Sequence, residues 1–126
     1  MGKLSIRKTK NGSNTLIVAE SDKEIRLHSA YDPEKEAERS VSNFNKGRSS
    51  IIIISGLALA YHVHEIKNKH SDVAIVVLEE DLEVIKLCKK INPEYIDGVF
   101  IVNKKFDLET IFEEIDMAEF KGISNY

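Results

Sequence analysis

The chain has a single cysteine, Cys88, two prolines, six glycines and no tryptophan. One thiol closes no internal disulfide, so a reducing cytoplasm is the simplest home. No apolar run approaches the ~18 residues that would cross a bilayer, and the opening MGKLSIRKTK lacks the apolar core of a signal peptide. Membrane insertion is therefore not expected. Eighteen basic residues against 21 acidic ones give a net charge of -3, without the basic footprint of a nucleic-acid binder. There is no internal repeat and no low-complexity tract. What remains, 42% hydrophobic and 31% charged over 126 residues, is the composition of one ordinary globular domain.

The pattern centres on residues 51 to 81, IIIISGLALAYHVHEIKNKHSDVAIVVLEED. Four isoleucines, Ile51 to Ile54, are too short a run for a helix, and β-branched side chains pack well on a pleated surface. Apolar on both faces, the run suits a central parallel strand covered on both sides. After Ser55-Gly56, Leu59, Val63 and Ile66 recur at helical spacing, and Val73 to Leu78 forms a second apolar strand ending at Glu79. This is a βαβ unit of the Rossmann-like kind.

Upstream, residues 4 to 28 read as a small antiparallel β-meander, with Asn11-Gly12 in its first turn and Ile25 and Leu27 on one face of its third strand. It either stands as a flap in front of the α/β unit or extends the sheet. Asp32-Pro33 starts a helix, since aspartate accepts orphan amides and proline at the first position loses no bond. Ala37, Val41 and Phe44 line its apolar face, and Asn45-Lys46-Gly47 ends it. Downstream, Asp81 caps a helix from Leu82 to about Lys90, with Leu82, Ile85 and Cys88 on one face. Asn92-Pro93 stops it, Val99 to Val102 gives a third strand, and Asp107 starts a last helix. Residues 121 to 126 read as a loosely ordered tail. The expected fold is α/β: a Rossmann-like three-layer unit with parallel central strands over residues 29–120, preceded by the meander, in one domain.

The turn Ser55-Gly56-Leu57-Ala58-Leu59-Ala60 is the first place where chemistry could sit. In a dinucleotide fingerprint, glycines let the chain turn and let a phosphate approach the helix N-terminus. Here only Gly56 is glycine, and Ala58 and Ala60 hold the later positions. Alanine allows close helix–strand packing, but its methyl crowds the backbone approach. A binding loop and a turn built for packing fit equally well. Glu79 follows Gly56 by twenty-three positions, near the spacing at which an acid grips ribose hydroxyls. His62 and His64 invite a metal reading, but residues two apart on a helix lie about 200° apart and cannot share an ion. Cys88, on an apolar helical face, reads as a buried structural thiol.

Two stretches give a resemblance. Leu27-His28-Ser29-x-Tyr31-Asp32-Pro33-x-x-Glu36-Ala37-x-Arg39, and Gly56-Leu57-Ala58-Leu59-Ala60-Tyr61-His62 with Glu79 beyond, resemble the N-terminal domain of the Maf family, the motility-associated factors of flagellated bacteria. The likeness covers most of residues 15 to 105. The family loop is usually richer in glycine, and Ala58 and Ala60 depart from it. The resemblance implies a non-catalytic domain at the front of a longer glycosyltransferase, which attaches nonulosonic acid from a CMP-activated donor to serine or threonine of flagellin. It implies a cofactor-binding set of Gly56, Ala58, Ala60, Tyr61 and Glu79 for a CMP-sugar-like nucleotide, and as partners flagellin or a C-terminal catalytic domain. His28, Ser29, Tyr31 and Arg39 would either contact a ligand at the sheet edge or lock the meander to the α/β unit.

Two other readings use the same residues. Apolar strand, small-residue loop and acid at the next strand's end also describe an S-adenosylmethionine site of a methyltransferase-like domain. A pure interaction module would use the open edge of an incomplete sheet and form a homodimer.

Overall fold

A computed structural model describes residues 3–20, 23–26, 32–103 and 122–126. Strands β1 (Lys3–Lys8), β2 (Asn14–Glu20) and β3 (Lys23–Arg26) form an antiparallel sheet in that order. The β1–β2 turn holds Gly12 at φ +87, a conformation glycine takes at little cost. The meander is thus a separate sheet rather than an extension of the main one. Its inner side enters the main core through Leu16, fully buried, with Leu4 and Ile6 packed beside it. Ile25 on β3 is half exposed.

Helix α1 (Pro33–Ser42) starts as its sequence directs: the Asp32 carboxylate accepts the Lys35 amide at 3.0 Å, and proline occupies the first turn. It ends at Ser42, earlier than the Asn45-Lys46-Gly47 stop read from sequence. The Lys69 ammonium reaches the carbonyl oxygens of Val41, Ser42 and Phe44 at 3.2, 3.5 and 3.5 Å and caps this end. Strand β4 (Ile51–Ser55), helix α2 (Tyr61–Lys69) and strand β5 (Ala74–Leu78) are the expected βαβ unit. Helix α3 (Leu82–Ile91) is capped by Asp81, whose carboxylate accepts the Glu83 amide at 2.9 Å. Its buried side chains are Val84, Ile85 and Cys88. Leu82 is 56% exposed, contrary to its expected place on that face, because it sits in the first turn outside the buried stripe. A 3₁₀ turn, Pro93–Ile96, leads to β6 (Phe100–Val102).

The tail departs from expectation. Ile123–Asn125 form strand β7, parallel to β4, with Ile51, Ile52 and Ile53 opposite Ile123, Ser124 and Asn125. A polar three-residue strand carries no periodic signal of its own; the edge of β4 supplies its ladder. The sheet order is β6-β5-β4-β7, all parallel. Ile52, Ile54, Ile75 and Val77 face the helices α1, α2 and α3 in the main core, while Ile51, Val76 and Val102 form a second buried cluster. Both faces of the central strands are therefore buried, as an isoleucine run requires. The helix expected from Asp107, and His28, Ser29 and Tyr31, lie outside the described residues.

Candidate functional site

The sheet order places β5 and β6 on one side of β4 and β7 on the other. The chain reverses direction across the sheet between β4 and β7, and in open α/β sheets that crevice, beyond the carboxyl ends of the strands, is where ligands bind. A cleft of about 230 Å³ lies there, lined by α1 (Glu36, Ala37, Ser40), the β4–α2 connection (Ala58, Tyr61, His62) and Tyr126 beyond β7.

The loop from Gly56 to Ala60 is tightly bonded. Gly56, at φ +92, donates its amide to the Leu78 carbonyl at 2.9 Å. The Leu57 amide donates to Glu79 Oε1 at 3.0 Å, while the Asp81 amide donates to Glu79 Oε2 at 3.1 Å. One carboxylate thus ties the first loop to the cap of α3. Ala58 and Ala60 take φ +45 and +67, left-handed values that glycine accepts and alanine resists. The Ala60 amide donates to the Leu57 carbonyl at 2.9 Å, and buried Asn92 donates its Nδ2 to the Leu59 carbonyl at 2.8 Å. Asn103 Nδ2 holds the far side through the carbonyls of Glu79 and Glu80, at 3.1 and 2.9 Å.

His62 closes the loop from the helix side. Its Nε2 is 2.9 Å from the Gly56 carbonyl, which only accepts, so Nε2 carries the proton and Nδ1 is the acceptor of the neutral ring. The ring stacks on Tyr126 with centroids 6.0 Å apart, and the Tyr126 hydroxyl hydrogen-bonds Ser40. Burial holds the His62 imidazole below its ordinary value, with the Gly56 bond acting the other way. His64 has other company: it stacks on Tyr95 at 4.1 Å and meets Asn68. The two rings serve different contacts, in keeping with their angular separation on the helix. Among the described residues no group of three histidine, cysteine or acidic side chains could hold a metal ion.

Of the five residues singled out in the sequence, Gly56 and Glu79 converge through the Leu57 amide, and Ala58 and Tyr61 line the cleft. Ala60 is fully buried in the core. The Tyr61 hydroxyl donates to the Asn14 carbonyl at 2.7 Å and accepts the Asn14 amide at 3.3 Å, so its polar end fastens the meander to α2. Ser13 adds a second fastening, donating its hydroxyl to the Glu34 carboxylate at 2.6 and 2.8 Å from its two oxygens. Ser40, His62 and Tyr126 as cleft residues, and Asn92 and Asn103 as braces, escape a sequence reading. The partners of His62 and Asn92 are backbone carbonyls, which leave no mark in residue types.

Neither a scan of protein-family models nor a search of curated proteins finds a match to this chain. Among the described residues, no helix is long and apolar enough to cross a membrane.

Proposed function

We propose that the chain is a non-catalytic Rossmann-like domain that binds a nucleoside-bearing ligand at the carboxyl edge of its parallel sheet. In this reading it is the N-terminal part of a Maf-type flagellin glycosyltransferase. The observation that carries the binding half is the tie between Glu79 and the Gly56 loop, placed beside a cleft at the strand-order reversal. Glu79 is not among the residues that line the cleft and is joined to it through the loop that carries Ala58. Each of its oxygens spends one lone pair on a backbone amide and retains another, the acceptor a ribose diol would use. The left-handed alanines support the family half. The loop follows the path of a glycine-rich turn where two of its glycines are absent.

Isothermal titration with cytidine, CMP, adenosine and S-adenosylhomocysteine tests the binding half. Saturable heat with at least one of them, lost in Glu79→Ala, is the expected outcome. Flat titrations across all four remove it. In the family reading the partners are flagellin and a C-terminal catalytic domain, and the domain works in the cytoplasm. Co-purification of this chain with the separately expressed catalytic region of a Maf protein tests that half, and no association in either order of mixing counts against it.

A further inference from the structure

The Gly56 loop and the cleft beside it discriminate between ligand classes, an inference that rests on the nucleoside-site reading above. A phosphate bound in Rossmann fashion needs loop amides turned toward it and a backbone it can approach closely. Here the Leu57 amide already donates to the Glu79 carboxylate at 3.0 Å. An anion brought to that amide would therefore sit beside a carboxylate in a partly buried setting, where like charges repel more strongly than in bulk water. The approach is also narrowed. Ala58 lines the cleft and carries a methyl group at a left-handed backbone position where a glycine would leave space.

The cleft walls fit a different chemistry. Among the described lining residues none is lysine or arginine; they supply Ser40, the neutral His62 ring, two tyrosines and the Glu36 carboxylate. The paired Ser40 and Tyr126 hydroxyls and an imidazole acceptor suit the hydroxyl and amino groups of a nucleoside, and aromatic faces suit its base, whereas the Tyr61 hydroxyl is taken by the Asn14 backbone. At about 230 Å³ the cleft is smaller than the ~300 to 1,000 Å³ usual for ligand pockets, which limits it to one part of a cofactor-sized ligand.

We infer that the ligand end seated at the Gly56 loop is a nucleoside carrying a neutral or cationic substituent, and that a phosphate on that end is rejected. A sulfonium nucleoside of the S-adenosylmethionine type satisfies this condition, and a 5′-phosphate placed at the loop does not.

The test compares matched pairs on the intact chain by calorimetry and by amide chemical-shift titration: adenosine with AMP, cytidine with CMP, and S-adenosylhomocysteine alongside. The expected result is that a nucleoside or S-adenosylhomocysteine shifts the Ser40, Ala58 and His62 resonances. The matching monophosphate should bind about tenfold more weakly or worse. Glu79→Gln, which removes the charge and keeps an acceptor for the Leu57 amide, should narrow that ratio. The wild-type comparison stands by itself if the variant does not fold. Monophosphates binding as tightly as their nucleosides would overturn the discrimination and leave the nucleoside site standing. Silence with every compound would overturn both.

Discussion

At the scale of single residues, the two alanines of the β4–α2 loop are the only non-glycine positions with left-handed backbone among the described residues. A left-handed backbone costs an L-residue about 1–2 kcal/mol, and glycine's extra freedom when unfolded returns about 0.5–1 kcal/mol of that. Ala58→Gly should therefore stabilise the protein by about 0.5–1 kcal/mol, seen as a higher urea midpoint at unchanged slope. Ala60→Gly should gain less, since its methyl is fully buried in the core and that packing is lost. A lower midpoint for Ala58→Gly would contradict the left-handed geometry. Cys88 makes the opposite point, a reactive group silenced by its surroundings. It is fully buried, and burial pushes its thiol up to about 12. Ellman's reagent at pH 8 should leave it untouched in the native protein and titrate one thiol in denaturant. Rapid native labelling would mean that α3 opens readily.

At the scale of elements, what the sequence reveals is whatever is settled by neighbours along the chain. The aspartates before α1 and α3 sit at their helix starts, and the isoleucine and valine runs are parallel strands, because caps and β-branched packing act within a few residues. β7 was illegible because Ile123, Ser124 and Asn125 become a strand only against β4, more than sixty positions away. The docking of the meander is hidden for the same reason. The family resemblance implies Tyr61 as a ligand contact, yet its hydroxyl satisfies both backbone groups of Asn14. Tyr61→Phe keeps the ring and leaves those two groups to find other partners, so it should cost about 1–2 kcal/mol. Amide exchange should quicken in β1 and β2 while β4 and β5 stay protected. Uniform loss of protection across both sheets would mean that the meander and the α/β unit unfold as one.

At the scale of the whole molecule, a row of rings binds the helical layer to the last strand. His70 at the end of α2 meets Phe44 edge-on at 6.0 Å, Phe44 meets Tyr126 at 5.3 Å, and Tyr126 stacks on His62 at the start of α2. Both ends of the row titrate. Burial depresses His62, and burial with the nearby Lys69 and Lys46 ammonium groups depresses His70, against a weaker pull from Asp72. The His70 Nε2 atom is buried without a partner, so a proton there gains no bond to offset its charge. A histidine whose folded value lies below its unfolded one, near 6.5, binds its proton more readily in the unfolded chain. Its contribution is complete above about pH 6.5 and declines as the pH falls toward the folded value. The urea midpoint should accordingly be lower at pH 5.5 than at pH 7.5, within a window that ends above the ordinary carboxylate range. His62→Gln should shrink that difference, and the double variant with His70→Gln should remove most of it. Equal midpoints for the wild type at the two pH values would place both rings in water, and the β7 side of the cleft would then lack the stacked wall that His62 and Tyr126 give it.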